Sequence, residues 1–197
     1  QGWPEADTFS VLDDGLSTDL ARAGVLNTAL KQRIAALAQY ATTIGVQGIL
    51  YTCSAFGEAI EAVAQATQMP VLKPNEAMFE AALQRGSRIG LIATFQPSLP
   101  SLAQEFEATA QQHRCEAVLE SLCVPEAMAA LTAGDTEAHN RAIAAAAPRL
   151  AHCDVVMLAQ LSMASARPAV QAANGARVLT SPDSAVAKLK AALHSGG

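Results

Sequence analysis

The sequence lacks the features that would place a protein in a membrane or on nucleic acid. Its apolar runs all fall short of the ~18 residues that a membrane-spanning helix needs, and its first residues contain neither the basic region nor the apolar block of a signal peptide. The 13 Lys and Arg are outnumbered by 18 Asp and Glu, which gives a net charge of −5, and no basic run is interleaved with aromatic residues. The expectation is a cytoplasmic globular protein that binds neither nucleic acid nor membranes.

The cysteines are too few and too scattered for a metal or disulfide framework. None belongs to a CxxC pair, and none has a histidine at the spacing of a zinc motif. Reduced thiols and no metal site are therefore expected. The four cysteines are Cys53, Cys115, Cys123 and Cys153.

The sequence does contain a regular alternation of short Val/Ile/Leu runs with longer Ala-rich segments, whose apolar residues recur three and four positions apart. This alternation predicts an α/β fold with mainly parallel strands. In such folds the functional side chains gather at the carboxyl ends of strands, where loops lead into helices. The predicted strands are residues 8–12, 48–52, 69–73, 88–94, 115–121, 154–159 and 176–180.

An internal repeat divides the chain into two parts. Shifting the sequence by 107 residues aligns Val11-Leu12 with Val118-Leu119, residues 49–53 with residues 156–160, and Val71-Leu72 with Val178-Leu179. The constant offset predicts two pseudo-symmetric lobes, each a mainly parallel sheet flanked by helices, with the site in the cleft between them. The predicted lobes are residues 1–75 plus 175–197, and residues 76–174.

The same repeat predicts that the first lobe lacks its first strand. The strand at 88–94 and the helix that follows it would have their counterparts before Gln1. The sequence is therefore expected to start about one strand and most of one helix late. The alternative is a first lobe that is built without this strand.

Cys53 stands at the carboxyl end of the strand predicted at 48–52, just before a helix-like segment. A thiol has an ordinary pKa of ~8.5, and a helix amino terminus favours the thiolate, so a cysteine in this position can serve as a base near neutral pH. The amides of Ser54 and Ala55, with the hydroxyls of Thr52 and Ser54, can hold a substrate carboxylate. The alternative is a buried cysteine that only packs at the end of an apolar strand.

Four segments in this order resemble the aspartate/glutamate racemase superfamily, which also includes hydantoin racemases, maleate isomerases and arylmalonate decarboxylases: "GILYTCSAFGEAI", "PVLKPNEAM", "RIGLIATF" and "CDVVMLAQLSMA". The resemblance implies two α/β lobes around a cofactor-free site for a small carboxylate substrate. It also implies that one cysteine from each lobe flanks the substrate, one removing the proton alpha to a carboxylate and the other returning it on the opposite face. Cys53 matches the first position, and Gln160 occupies the second.

Gln160 departs from the racemase pattern, because an amide neither gives nor takes a proton near pH 7. Three interpretations stay open: a racemase that recruits another base, a one-thiol decarboxylase of an arylmalonate-like substrate, or a carboxylate-binding protein without catalysis. The decarboxylases of the superfamily keep the second cysteine and lack the first, so this chain would be their mirror image. The prediction is a cofactor-independent amino-acid racemase, with the lyase as second choice. The oligomeric state stays open, a homo-oligomer included.

The remaining candidates also follow strand ends. Asp14 either binds substrate or belongs to the turn that an Asp-Gly pair favours. Thr94 and Phe95 end the strand at 88–94, and in the decarboxylase branch this neighbourhood resembles a pocket wall that contacts substrate. Ser162 follows Gln160 and either caps a helix or binds a carboxylate.

Overall fold

The structure is a computed structural model that describes residues 2–194. Helices and parallel strands alternate along it, which confirms the predicted α/β class. The helices are α1 Gly15–Ala23, α2 Thr28–Thr43, α3 Gly57–Ala66, α4 Glu76–Leu83, α5 Leu99–Gln112, α6 Pro125–Thr132, α7 Thr136–Ala146, α8 Arg167–Asn174 and α9 Ser181–His194. The strands are β1 Ile49–Leu50, β2 Val71–Leu72, β3 Arg88–Ala93, β4 Val118–Cys123, β5 Val155–Leu158 and β6 Arg177–Thr180. No helix among residues 2–194 is both long enough and apolar enough to cross a membrane.

The chain forms two compact units, residues 1–74 with 185–197, and residues 75–184. The sequence prediction assigned residues 175–184 to the first lobe, whereas the structure places them in the second unit. The physical reason is β6, which pairs in parallel with β5 over its four residues and so belongs to the second sheet.

The second unit is built on a four-stranded parallel sheet in the order β4-β3-β5-β6. β5 is buried along its whole length, as expected for a strand covered by helices on both faces. Val156 and Leu158 pack on one face with residues of α6, α7 and α8. Val155 and Met157 pack on the other face with residues of α4 and α5. The sheet therefore contributes side chains to two hydrophobic cores, one on each face, and this packing supports the loops that follow its strands.

In the described part of the first unit, the sheet consists of two parallel strands, β1 and β2. Its core lies among α1, α2, α3 and β2, with Ile34, Phe56 and Ile60 almost fully buried. Asn27 caps α2 by accepting a hydrogen bond from the amide of Leu30 at 3.1 Å. These helices position the short loop that follows β1.

The predicted strand at residues 8–12 is wrong, because the segment is irregular in the structure. Phe9 is 69% exposed and Leu12 is 82% exposed. In the 107-residue repeat this segment corresponds to β4, which pairs only with β3 in the second unit. Within the described residues the first unit contains no counterpart of β3, so the segment has no strand with which to form a ladder.

Candidate active site

Cys53 lies three residues beyond the end of β1, in an extended conformation with φ −122° and ψ 120°. It precedes a 3₁₀ turn, Ser54–Phe56, which runs directly into α3. The turn is anchored by Phe56, which is 2% exposed, whereas Cys53 itself is exposed. A buried packing role therefore does not describe Cys53 in this structure.

The amides of Ser54 and Ala55 open the 3₁₀ turn behind Cys53. The first amides of a helical turn have no acceptor within it, so they are available to an anion. The sequence predicted that a helix starts here, and the structure places three residues of 3₁₀ turn before α3 begins at Gly57. Thr52, Ser54 and Ala55 are all exposed beside the thiol.

A groove of about 630 Å³ in the first unit is lined by residues 9–14 and 48–53, together with residues of α1 and α2. Its lining includes three of the predicted site residues, namely Asp14, Thr52 and Cys53. Apolar side chains such as Leu12 and Tyr51 contribute to the same lining. The structure thus brings a thiol, a hydroxyl and a carboxylate to one concave surface.

The two adjacent aspartates at this groove have different roles. Asp13 accepts hydrogen bonds from Arg33 Nε at 2.8 Å and from Arg33 Nη2 at 2.6 Å, and these bonds lower the pKa of the Asp13 carboxyl. Asp14 is the N-cap residue of α1 but makes no side-chain capping bond. The turn at this position is therefore fixed by Asp13 and Arg33, and the exposed carboxylate of Asp14 is not used in capping.

Gln160 stands two residues beyond β5 in the second unit, where its side chain is fixed by hydrogen bonds. Its Oε1 accepts from the backbone amide of Thr94 at 3.0 Å and from the Thr94 hydroxyl at 3.4 Å. Its Nε2 donates to Ser98 Oγ at 3.3 Å. The amide oxygen of Gln160 thus accepts from both donors of Thr94. Phe95, next to Thr94, is half exposed.

Ser162 lies inside the 3₁₀ turn Leu161–Ala166, of which Gln160 is the N-cap residue. It is exposed, and its carbonyl accepts a hydrogen bond from the hydroxyl of Ser165 at 3.3 Å. The capping position belongs to Gln160, so the helix-capping interpretation of Ser162 is wrong. A carboxylate-binding role for Ser162 stays a prediction.

Cys53 and Gln160 occupy equivalent local structures in their own units. Each is an extended N-cap residue after a parallel strand, each precedes a 3₁₀ turn, and each turn continues into a helix. The backbone angles of Gln160, φ −102° and ψ 147°, resemble those of Cys53. The 107-residue repeat is therefore visible in the backbone as well as in the sequence.

The sequence indicates Ser98 only as a helix-capping residue near the end of β3 and does not indicate Arg33; the two position Gln160 and the Asp13-Asp14 turn respectively. Ser98 lies 62 positions from its partner, and Arg33 lies 20 positions from Asp13. No local pattern connects such pairs before the fold is known.

Of the other cysteines, Cys115 and Cys153 precede strands, whereas Cys123 ends β4 one residue before the N-cap residue of α6. Burial raises the pKa of the Cys123 thiol, in β4, and that of the Cys153 thiol, which precedes β5. Cys115 is exposed just before β4. Cys53 is thus the exposed thiol that is itself the N-cap residue of a helical turn.

Comparison with known proteins supports the resemblance. The profile of the Asp/Glu/hydantoin racemase family matches residues 17–189. No curated protein matched by sequence.

Three solved structures illustrate the shared fold. A cysteine variant of arylmalonate decarboxylase in a sulfate-associated form has a TM-score of 0.62 and 16% identity, over 86% of this chain and 77% of that one. A glutamate racemase from Bacillus anthracis has a TM-score of 0.62 and 14% identity, over 85% of this chain and 66% of that one. An allantoin racemase from Pseudomonas fluorescens has a TM-score of 0.60 and 18% identity, over 86% of this chain and 73% of that one. At these identities the likeness shows the fold alone.

Proposed function

The chain belongs to the Asp/Glu/hydantoin racemase family, and from this premise we propose that it is a cofactor-independent amino-acid isomerase in which Cys53 transfers the proton alpha to a carboxylate. The observation that carries the proposal is the exposed Cys53 thiol at the start of the helical turn after β1. Thr52 and Asp14 line the same groove.

The proposed step needs only groups of the first unit. The Cys53 thiolate takes the α-proton, so a C–H bond breaks and an S–H bond forms. The electron pair of the C–H bond moves onto the carboxylate and gives an enediolate. The amides of Ser54 and Ala55 and the hydroxyl of Thr52 stabilise this charge more strongly than that of the ground-state carboxylate.

Asp14 supports an amino acid over a malonate as substrate. Its exposed carboxylate lines the groove and makes no capping bond, so it can pair with the α-ammonium group of an amino acid. A doubly negative malonate would instead meet a like charge there. The carboxylate of the amino acid would lie on the Ser54 and Ala55 amides.

The proposed step has a single thiol. A proton taken by Cys53 therefore returns mainly from Cys53, on the same face. Gln160, the equivalent residue of the second unit, is tied to Thr94 and Ser98, and its amide exchanges no proton. The proposal therefore predicts that solvent deuterium enters the α-carbon faster than the stereocentre inverts. Inversion requires a second proton donor on the other face.

The test is incubation with small amino acids in heavy water, with deuterium followed by NMR and inversion by chiral chromatography. Cys53→Ala and Cys53→Ser should lower exchange at least about 100-fold, the usual scale of a general base. Cys115→Ala is the matched control, because it removes another exposed thiol and should leave exchange unchanged. Full turnover by Cys53→Ala would show that the thiol is not the base.

A second candidate is a one-thiol decarboxylase, favoured by the single thiol at the two equivalent loop positions. Substituted malonates in the same assay distinguish the two, since a lyase releases carbon dioxide and the isomerase does not. Binding of small carboxylates without exchange or decarboxylation would instead identify a binding protein.

A further inference from the structure

Three side chains with metal-binding atoms converge in the second unit, away from the loops that follow β3 and β5. Glu120 is in β4, and His152 and Cys153 come immediately before β5. One donor atom from each lies within 4.8 Å of the other two. Among residues 2–194, no other group of three His, Cys, Asp or Glu side chains converges in this way.

The donor set matches the preferences of zinc. Thiolate sulfur, imidazole nitrogen and carboxylate oxygen are its usual ligands, at about 2.0–2.3 Å, and three protein ligands with one open position are a common arrangement. His152 Nε2 and Glu120 Oε2 are 2.8 Å apart, against about 3.3 Å between two such ligands of a tetrahedral ion. Both side chains are about half exposed, so they can open by this small amount.

Cys153 is the buried member of the three, beside two half-exposed side chains. It is 6% exposed, and its backbone amide donates to the carbonyl of Leu150 at 3.0 Å. The backbone amide of the next residue, Asp154, donates to the carbonyl of Arg88 at 2.8 Å, and the Asp154 carboxylate accepts from the Arg88 amide at 2.9 Å. The backbone and the side chain of Asp154 therefore both hold the segment before β5 to the start of β3.

The strand register brings Glu120 to the same place. Glu120 pairs with Gly90 of β3, and a Cβ atom at Gly90 would lie 3.0 Å from Leu150 Cδ1. The side chain of Glu120 therefore lies on the sheet face covered by the segment that leads to His152. Glycine at position 90 allows this segment to approach the sheet closely.

We propose that Glu120, His152 and Cys153 bind a zinc ion that links the edge strand β4 to the segment before β5. On binding, the thiol proton of Cys153 is released to solvent and a sulfur–zinc bond replaces the sulfur–hydrogen bond. Among residues 2–194, β3 is the one strand that pairs with β4, so a metal link adds a second attachment. Sequence spacing gave no sign of this site, because Glu120 is 32 residues from His152.

The test begins with chelator-treated, metal-free protein titrated with zinc in a calorimeter. One ion per chain is expected, and zinc should raise the Tm because it binds the folded state preferentially. His152→Ala, an exposed position that should not disturb folding, should weaken binding at least about tenfold and abolish the rise in Tm. With cobalt as a spectroscopic probe, Cys153→Ser should remove the sulfur-to-metal charge-transfer band.

A matched control exists in the same unit. His113 Nε2 lies 3.5 Å from Glu80 Oε1, and Cys115 is two residues further along, but these groups do not form a set of three converging donors among the described residues. His113→Ala and Cys115→Ser should therefore leave zinc affinity unchanged. The proposal is overturned if the metal-free protein takes up no zinc, if His152→Ala binds it as tightly as wild type, or if the control variants lose it equally.

Discussion

The two units carry similar strand sequences, yet only the second builds a continuous sheet. β5 is buried along its length and pairs with β3 on one side and β6 on the other. β1 has two residues and one partner, β2. The difference is β3, which lies between β4 and β5 and has no counterpart among the described residues of the first unit. Strand propensity becomes strand structure only where a neighbouring strand completes the ladder.

Leu12 and Leu119 show the difference at a single pair of repeat-equivalent positions. Leu119, in β4, pairs with Ile89 and packs against the core formed by α4 and α5. Leu12 is 82% exposed at the edge of the groove. The same residue type is partly buried in one unit and solvated in the other because only one has a strand beside it.

The largest expected effect is on stability, when leucine is truncated in each unit. Leu91→Ala in β3 removes a fully buried side chain and should lower the free energy of unfolding by about 2–5 kcal/mol. Leu12→Ala should change it by no more than about 0.5 kcal/mol. Urea unfolding of the two variants measures both values, and equal losses would contradict the proposed difference between the units.

The strand partners explain how far the sequence could predict the fold. Six of the seven predicted strands form, although β1 and β2 keep only two residues each. The run at 8–12 has the same apolar character, but the described residues of the first unit contain no counterpart of β3 with which it could pair. Local sequence gives strand preference, whereas the ladder is a long-range property.

The candidate site was predictable in the same limited sense. The position of Cys53 after a strand and before a helical turn follows from the sequence pattern, as does that of Gln160. The hydrogen bonds that tie Gln160 to Thr94 span 66 residues and follow from the pairing of β3 with β5. The convergence of Glu120 with His152 likewise depends on the sheet.

The second-largest effect is expected on the rate of inversion, when Gln160 is replaced by the residue type of its equivalent, Cys53. Gln160→Cys places a thiol in the second unit at the position that corresponds to Cys53. The racemase resemblance predicts that inversion, relative to deuterium exchange, rises at least about tenfold, because the missing acid is supplied. The comparison uses the heavy-water assay, with Gln160→Ala as the control that also removes the Thr94 and Ser98 hydrogen bonds. An equal ratio in both variants would show that a thiol at 160 does not reach the substrate.

A smaller effect is expected on hydrogen exchange in β1, when a peptide that can pair with this strand is added. A synthetic peptide with the sequence of residues 88–95 should add to the side of β1 opposite β2, where the described residues place no other strand, in the groove that residues 9–14 also line. The amides of Ile49 and Tyr51 bond to carbonyls on the β2 side, so the Leu50 amide between them faces the other way. Hydrogen exchange at Leu50 should slow several-fold. The same peptide with proline in place of its central leucine is the control, and equal protection by both would argue against strand addition.

The smallest effect contrasts two carboxylates, one in each unit. Arg33 side-chain bonds lower the pKa of Asp13 from 3.8, whereas the backbone amides of Arg88 and Ser87 lower that of Asp154. Since each folded-state pKa is below the unfolded one, both groups stabilise the fold above pH 3.8, and this contribution is lost as the pH falls through the lowered values. Salt screens an exposed ion pair more than fixed amide dipoles, so high salt should raise the pKa of Asp13 more than that of Asp154. NMR titration at two salt concentrations measures this, and equal shifts would show that both carboxylates are held in the same way.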